Sequence, residues 1–170
     1  LEHLLETTEW VLADGATGTN LFKIGLEIGH PPVLWHVERP DKVTALHASF
    51  IEARSQLVLT NSFGGTAHRL KQHDAQDRVH ELNSAGARIA RRAADEGRDR
   101  TGREVVVGWS MGPIGELFAP MGALDYDDAY AAFTAQATAL AKGGVHMLWV
   151  ETMSSLEEVK LAIVSTAATG

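Results

Sequence analysis

Four short apolar runs punctuate the chain, and each closes on polar or glycine-rich residues. Trp10-Val11-Leu12-Ala13 meets Asp14-Gly15-Ala16-Thr17-Gly18, and Leu57-Val58-Leu59 meets Thr60-Asn61-Ser62-Phe63-Gly64-Gly65. Val105-Val106-Val107 meets Gly108-Trp109-Ser110-Met111-Gly112-Pro113, and Met147-Leu148-Trp149-Val150 meets Glu151-Thr152. Runs of this length bounded by turn residues read as buried strands, here at about 10–14, 56–60, 104–109 and 145–151. Between them the apolar period changes to that of a helix. Val79, Leu82, Gly86, Ile89 and Ala93 form the clearest stripe, and Val43, Leu46 and Phe50 form another behind Pro40 and Asp41. Asp125 is placed as an N-cap for Tyr126, Tyr130, Phe133, Ala137 and Leu140, a stripe that stops at Gly143-Gly144. Ser154 or Ser155 caps a last stripe of Leu156, Val159 and Ile163.

The remainder reads as connections. Residues 1–9 suit a short lead-in helix and Thr19 to Gly25 a second one, while Gly29-His30-Pro31-Pro32 is a loop. Residues 96–103 are a charged, glycine-punctuated surface turn, and residues 110–124 form a long irregular loop of the kind that carries function. The order βαβαβαβα means a parallel sheet with crossover helices. A doubly wound open sheet and part of a (β/α)8 barrel both fit, and both place chemistry at the C-terminal ends of the strands.

Charge narrows the partners. Fifteen basic against 22 acidic residues give a net charge of −7, which argues against nucleic acid and an anionic membrane surface. No apolar run approaches the length of a membrane-spanning helix, so a cytoplasmic setting is expected. The chain has no cysteine and hence neither a disulfide nor a thiolate metal site of its own.

Asp14 and Glu151, each at a strand end, suit a cationic ligand group such as an ammonium; capping or loop anchoring is the plainer alternative. Gly15-x-x-Gly18 lacks the first glycine of a dinucleotide fingerprint, since Ala13 stands there. The eight histidines have no metal-ligand spacing; His47 and His146 read as core or helix-face residues. Trp109 and Trp149 read as packing, and Ser110 lacks the partners of a nucleophile.

In order, Asp14-Gly15-Ala16-Thr17-Gly18-Thr19, Thr60 to Gly65, Ser110-Met111-Gly112-Pro113-Ile114-Gly115 and Trp149-Val150-Glu151-Thr152-Met153 resemble the signature of the homocysteine S-methyltransferases. That family includes betaine–homocysteine methyltransferases and the homocysteine-binding module of cobalamin-dependent methionine synthase. Thr60 to Arg92 looks especially like the bacterial betaine type. The resemblance implies a zinc-dependent (β/α)8 TIM barrel, of which residues 1–170 are about the first four βα units and the N-terminal part of a single homocysteine-binding domain. A free thiol of ordinary pKa is only about 3% thiolate at pH 7; in the family, zinc ionises it for attack on a methyl donor and methionine results.

The resemblance also assigns residues. Asp14 and Glu151 match positions that hold the substrate's ammonium, Gly15 gives close backbone approach, and Asn61, Ser62, Phe63 and Thr152 line the substrate or donor side. No catalytic residue or zinc ligand falls within the chain, because the family's zinc cysteines belong to the missing half. Betaine is the expected donor, with S-methylmethionine or methylcobalamin/methylfolate as alternatives. A non-catalytic half-barrel that binds an amino acid or assembles with a partner is the reading from another class. The isolated chain is expected to be inactive, and its uncovered edges to favour a homo-oligomer or loose packing. One departure stands out: Ala53-Arg54-Ser55-Gln56 puts arginine where relatives have a small residue.

Overall fold

In the computed structural model, which describes residues 1–145 and 147–167, three parallel strands form one sheet. They are β1 (Leu57–Leu59), β2 (Val106–Met111) and β3 (Met147–Val150), in the order β1-β2-β3. Leu57 pairs with Val106 and Leu59 with Gly108; Gly108 pairs with Met147 and Met111 with Val150. Apart from Val106, which is half-buried, the residues of β2 are buried, as befits the middle strand of a parallel sheet. His146 lies outside the described residues.

The strand expected at 10–14 shrinks to a single parallel bridge, Ala13 to Leu57. The amides of Gln56 and Leu57 reach the Leu12 carbonyl, and the Asp14 amide reaches Leu57 O at 2.8 Å. The run therefore lies beside β1, but Trp10 (66% exposed) and Leu12 (40% exposed) leave it without the two-sided burial that sustains a ladder.

Helices α1 (Glu2–Thr7), α2 (Thr17–Lys23), α3 (Trp35–Glu38) and α4 (Pro40–Glu52) precede β1, with a single 3-10 turn at Pro32–Leu34. After β1 come α5 (Ala67–Lys71), which no sequence stripe marks, and the long α6 (Val79–Thr101). Helix α7 (Tyr126–Lys142) links β2 to β3, and α8 (Leu156–Ala167) follows β3. Asp125 caps α7 through the Asp127 amide, and the Ser155 hydroxyl accepts the Glu158 amide at the start of α8.

The turn expected at 96–103 is helix as far as Thr101. Gly97 does not stop α6; it lets α4 approach, since a Cβ there would lie 2.6 Å from Ile51 Cγ2. The real stop is Gly102, which adopts φ +69. Arg91–Asp95, Arg92–Glu96 and Arg98–Asp95 pairs dress the exposed face of the last turns.

The main core lies between the sheet and α6 and α7. Ala87, Ala90 and Ala94 meet Phe133, Ala137 and Leu140 over Val58 and Val107, so small side chains allow the two helices close contact. Among the described residues no helix is long and apolar enough to cross a membrane. Trp149, Ile163 and Val164 remain exposed around β3 and α8, and β3 has no neighbour on its outer edge among the described residues.

Candidate functional site

The four chain segments that follow the apolar runs converge at the C-terminal ends of the strands. They enclose a cavity of about 460 Å³ whose lining includes Asp14, Gly15, Asn61, Phe63, Ser110 and Glu151. Among the described residues lining it there is no lysine, arginine or histidine. Such a lining is electrostatically suited to a cationic group.

Asp14 is built in by its backbone and by its side chain. Its amide donates to Leu57 O, and its Oδ2 accepts the Leu59 amide at 2.9 Å. Burial drives its pKa up to about 6; the Leu59 amide opposes this and the nearby Glu151 charge adds to it. Glu151 follows β3: its amide donates to Met111 O at 3.1 Å, and its Oε1 accepts the Ser110 hydroxyl at 2.6 Å.

Asn61 is nearly buried, and its Nδ2 donates to the Pro32 carbonyl at 2.8 Å, tying the Gly29–Pro32 loop to the cavity wall. Phe63 lies over Gly112, where a Cβ would come within 2.5 Å of the ring. Pro32, Asn61 and Phe63 also wall a second cavity of about 320 Å³, lined further by His30, Arg69 and His73. At Gly15 a Cβ would meet only the Phe50 ring at 3.5 Å, so packing alone does not demand glycine there.

Two expected lining residues stand elsewhere. Ser62 is fully buried behind the cavity, its hydroxyl spent on Ser110 O, because a small polar side chain after β1 finds main-chain acceptors before it finds solvent. Thr152 is exposed and outside the lining, with a left-handed backbone (φ +61).

Ser110 is the residue that sequence reasoning undervalued, having been weighed only as a nucleophile. Thr60, Leu59 and Pro32 also line the cavity. Glu158, near the start of α8, is buried and its carboxylate accepts the amides of Ile114 (2.9 Å) and Ser154 (2.8 Å). The Ser155-x-x-Glu158 spacing was the available signal. Trp109 is buried in the core, as expected, whereas Trp149 is partly exposed. His47 is buried, and so is His36, which no sequence pattern marked.

Among the described residues, metal chemistry finds no ligand set. The chain has no cysteine, and the described residues contain no group of three or more His, Asp or Glu side chains arranged to hold an ion.

A family model described as homocysteine S-methyltransferase matches residues 11–169. The methionine synthase of Mycobacterium tuberculosis (strain ATCC 25618 / H37Rv) is 32% identical over 163 residues, covering 92% of this chain and 13% of that protein. The methionine synthase of Mycobacterium leprae (strain TN) is 33% identical over 172 residues, covering 96% and 14%. The chain therefore spans about one seventh of the length of these curated relatives. The crystal structure of the homocysteine methyltransferase MmuM from Escherichia coli in its metallated form superposes with a TM-score of 0.86 at 22% identity, covering 99% of this chain and 62% of that one. The apo form of the same protein gives 0.75 at 21% identity, over 97% and 57%. At these identities the likeness establishes the α/β fold with its parallel sheet.

Proposed function

Because the chain belongs to the homocysteine S-methyltransferase family, we propose that it forms the homocysteine-binding part of a (β/α)8 barrel that methylates the thiol of homocysteine to methionine. The observation that carries this reading is the pair Asp14 and Glu151 in a cavity at the strand ends whose described lining holds no cationic side chain.

The substrate's ammonium sits between the two carboxylates, which fixes the amino acid at one end. With a pKa of about 6, Asp14 is about nine-tenths ionised at pH 7, and an arriving cation draws off the remaining proton. Gly15 and Phe63 line the space left for the thiol arm and the donor. The sulfur then attacks a methyl carbon in line: the S–C bond forms, the bond from methyl to the donor atom breaks, and the electron pair stays with the donor. With betaine the leaving group is dimethylglycine, whose amine takes up the thiol proton. Zinc, where the family uses it, would supply ionisation of the thiol; the described residues offer no ligand set for it, so the role read for them is to bind and orient the amino acid.

Betaine is the first donor to test. The likeness to two methionine synthases supports methylcobalamin or methylfolate as the second reading. Calorimetric titration with L-homocysteine tests the binding site: the wild type binds, and Asp14→Ala and Glu151→Ala each weaken binding at least tenfold. Unchanged affinity in both variants overturns the site. Methyl transfer from labelled betaine or methylcobalamin, by the chain alone and extended to full barrel length, identifies the donor. Turnover by the 170-residue chain alone would refute its expected inactivity.

A further inference from the structure

Beyond the Thr60 amide, which still donates to Gly108 O at 2.9 Å, side chains carry the pairing of this segment with Ser110. The Ser110 amide donates to Thr60 Oγ1 at 3.1 Å, and the Ser110 carbonyl accepts from Ser62 Oγ at 2.7 Å. The two hydroxyls also bond to each other. Counting protons fixes the direction of that bond. A carbonyl only accepts, so Ser62 spends its one proton on Ser110, and Thr60 must donate to Ser62. A closed ring results: Ser110 N–H to Thr60, Thr60 to Ser62, Ser62 to Ser110 C=O.

The ring is anchored from outside. Gln136 Nε2 donates to the Ser62 carbonyl at 2.7 Å and to Asn83 Oδ1 at 3.3 Å, and Asn83 Nδ2 donates to Gly65 O at 2.8 Å. Thr60, Ser62, Asn83, Ser110 and Gln136 are all buried, where such bonds are costly to lose. With both backbone groups of Ser110 held, its hydroxyl is left to reach Glu151 Oε1 at 2.6 Å. Glutamate has three side-chain torsions and needs such an anchor to stay put.

We propose that Ser110 is a positioning residue, its hydroxyl holding the Glu151 carboxylate beside Asp14 so that both acids meet one incoming ammonium. This rests on the reading of the cavity given above. A hydroxyl donating to a carboxylate is among the stronger side-chain bonds, so its loss is felt at the ligand.

The test compares Ser110→Ala, Ser110→Thr and Glu151→Gln in two readouts: L-homocysteine affinity by calorimetry, and the titration midpoint of the Asp14 carboxyl carbon by NMR in ligand-free protein. Ser110→Ala weakens homocysteine binding about tenfold, approaching Glu151→Gln. It also lowers the Asp14 midpoint, because the Glu151 charge that raises it drifts away. Ser110→Thr restores both. Ser110→Cys, which fills the same space with a much weaker donor, gives the same result should the alanine variant unfold. An unmoved Asp14 midpoint overturns the role of Ser110 whatever the binding shows. If homocysteine fails to bind even the wild type while the midpoint still falls, Ser110 keeps its role and the homocysteine reading is lost.

Discussion

Asp14 Oδ2 takes the Leu59 amide at 2.9 Å, so the carboxylate that ends the first apolar run doubles as the missing pairing partner for the end of β1. The bond favours the ionised form, and burial outweighs it, leaving a pKa of about 6. Homocysteine affinity is therefore expected to hold from pH 8 to 7 and fall about tenfold per unit well below pH 6. Calorimetry across that range checks it, and a flat profile down to pH 5 would contradict it.

The same group gives a stability prediction of opposite sense. A carboxyl whose pKa is higher folded (about 6) than unfolded (3.8) costs stability at neutral pH, and the cost is relieved as pH falls through 6 toward 3.8. Asp14→Asn keeps the acceptor for Leu59 and removes the charge. It should stabilise the fold at pH 7 by about 1 kcal/mol, allowing for solvent screening of a half-buried group, and lose homocysteine binding. Chemical denaturation at pH 7 and pH 5 reads it, with the gain shrinking at the lower pH.

His36 and His47 act in the other direction. Burial lowers both pKa values to about 4, with the Leu82 carbonyl opposing the shift at His36 and the neighbouring His36 adding to it at His47. A histidine with a lower folded pKa is stable neutral and loses that stability as pH falls from 6.5 toward 4. Each contributes on the order of 3 kcal/mol to acid destabilisation. His47→Leu should flatten the loss between pH 6.5 and 4 in urea melts; an unchanged acid limb would contradict this.

Gly97→Ala tests the close crossing of α4 and α6. The added methyl meets Ile51 Cγ2 at 2.6 Å, so about 1–3 kcal/mol of stability should be lost despite alanine's better helix propensity. Thermal melts read the loss, and an unchanged midpoint for Gly97→Ala would contradict the close crossing.

Arg54→Gly should do the reverse. Arg54 is exposed and held at φ +76, a conformation that costs a side-chain-bearing residue about 1 kcal/mol. The glycine variant should be more stable by a similar amount, with unaltered homocysteine binding. The sequence had marked this position as unusual; the positive φ is the reason a small residue suits it.

Asp14 and Glu151 were legible because a charge that ends an apolar run has few places to go but the mouth of a sheet. The long stripes of α6 and α7 were legible by period, which puts Val79, Leu82, Gly86 and Ala93, and Phe133, Ala137 and Leu140, on the buried face. Tyr126 and, in α8, Leu156 and Ile163 are exposed, whereas Glu158, Leu161 and Ala162 are buried. Ser62 and Thr152 were misplaced because neither hydroxyl direction nor backbone handedness is written in residue type. Gly97 and Gly102 look alike in sequence, and only the neighbour at Ile51 separates a packing glycine from a terminating one. The 10–14 run had strand composition, yet the exposure of Trp10 and Leu12 depends on what covers them, which no local pattern encodes. Helix α5 is too short for its period to register.

Glu158 fastens Ile114 and Ser154 with one carboxylate, so the loops that follow β2 and β3 are stapled into a single rim. Across the cavity, the Gly29–Pro32 loop is tied by Asn61 Nδ2 to the Pro32 carbonyl and by the His30 ring to Glu38 Oε2, both at 2.8 Å. The mouth is thus pinned on both sides by side chains, so its width is set by carboxylates and an amide rather than by strand pairing.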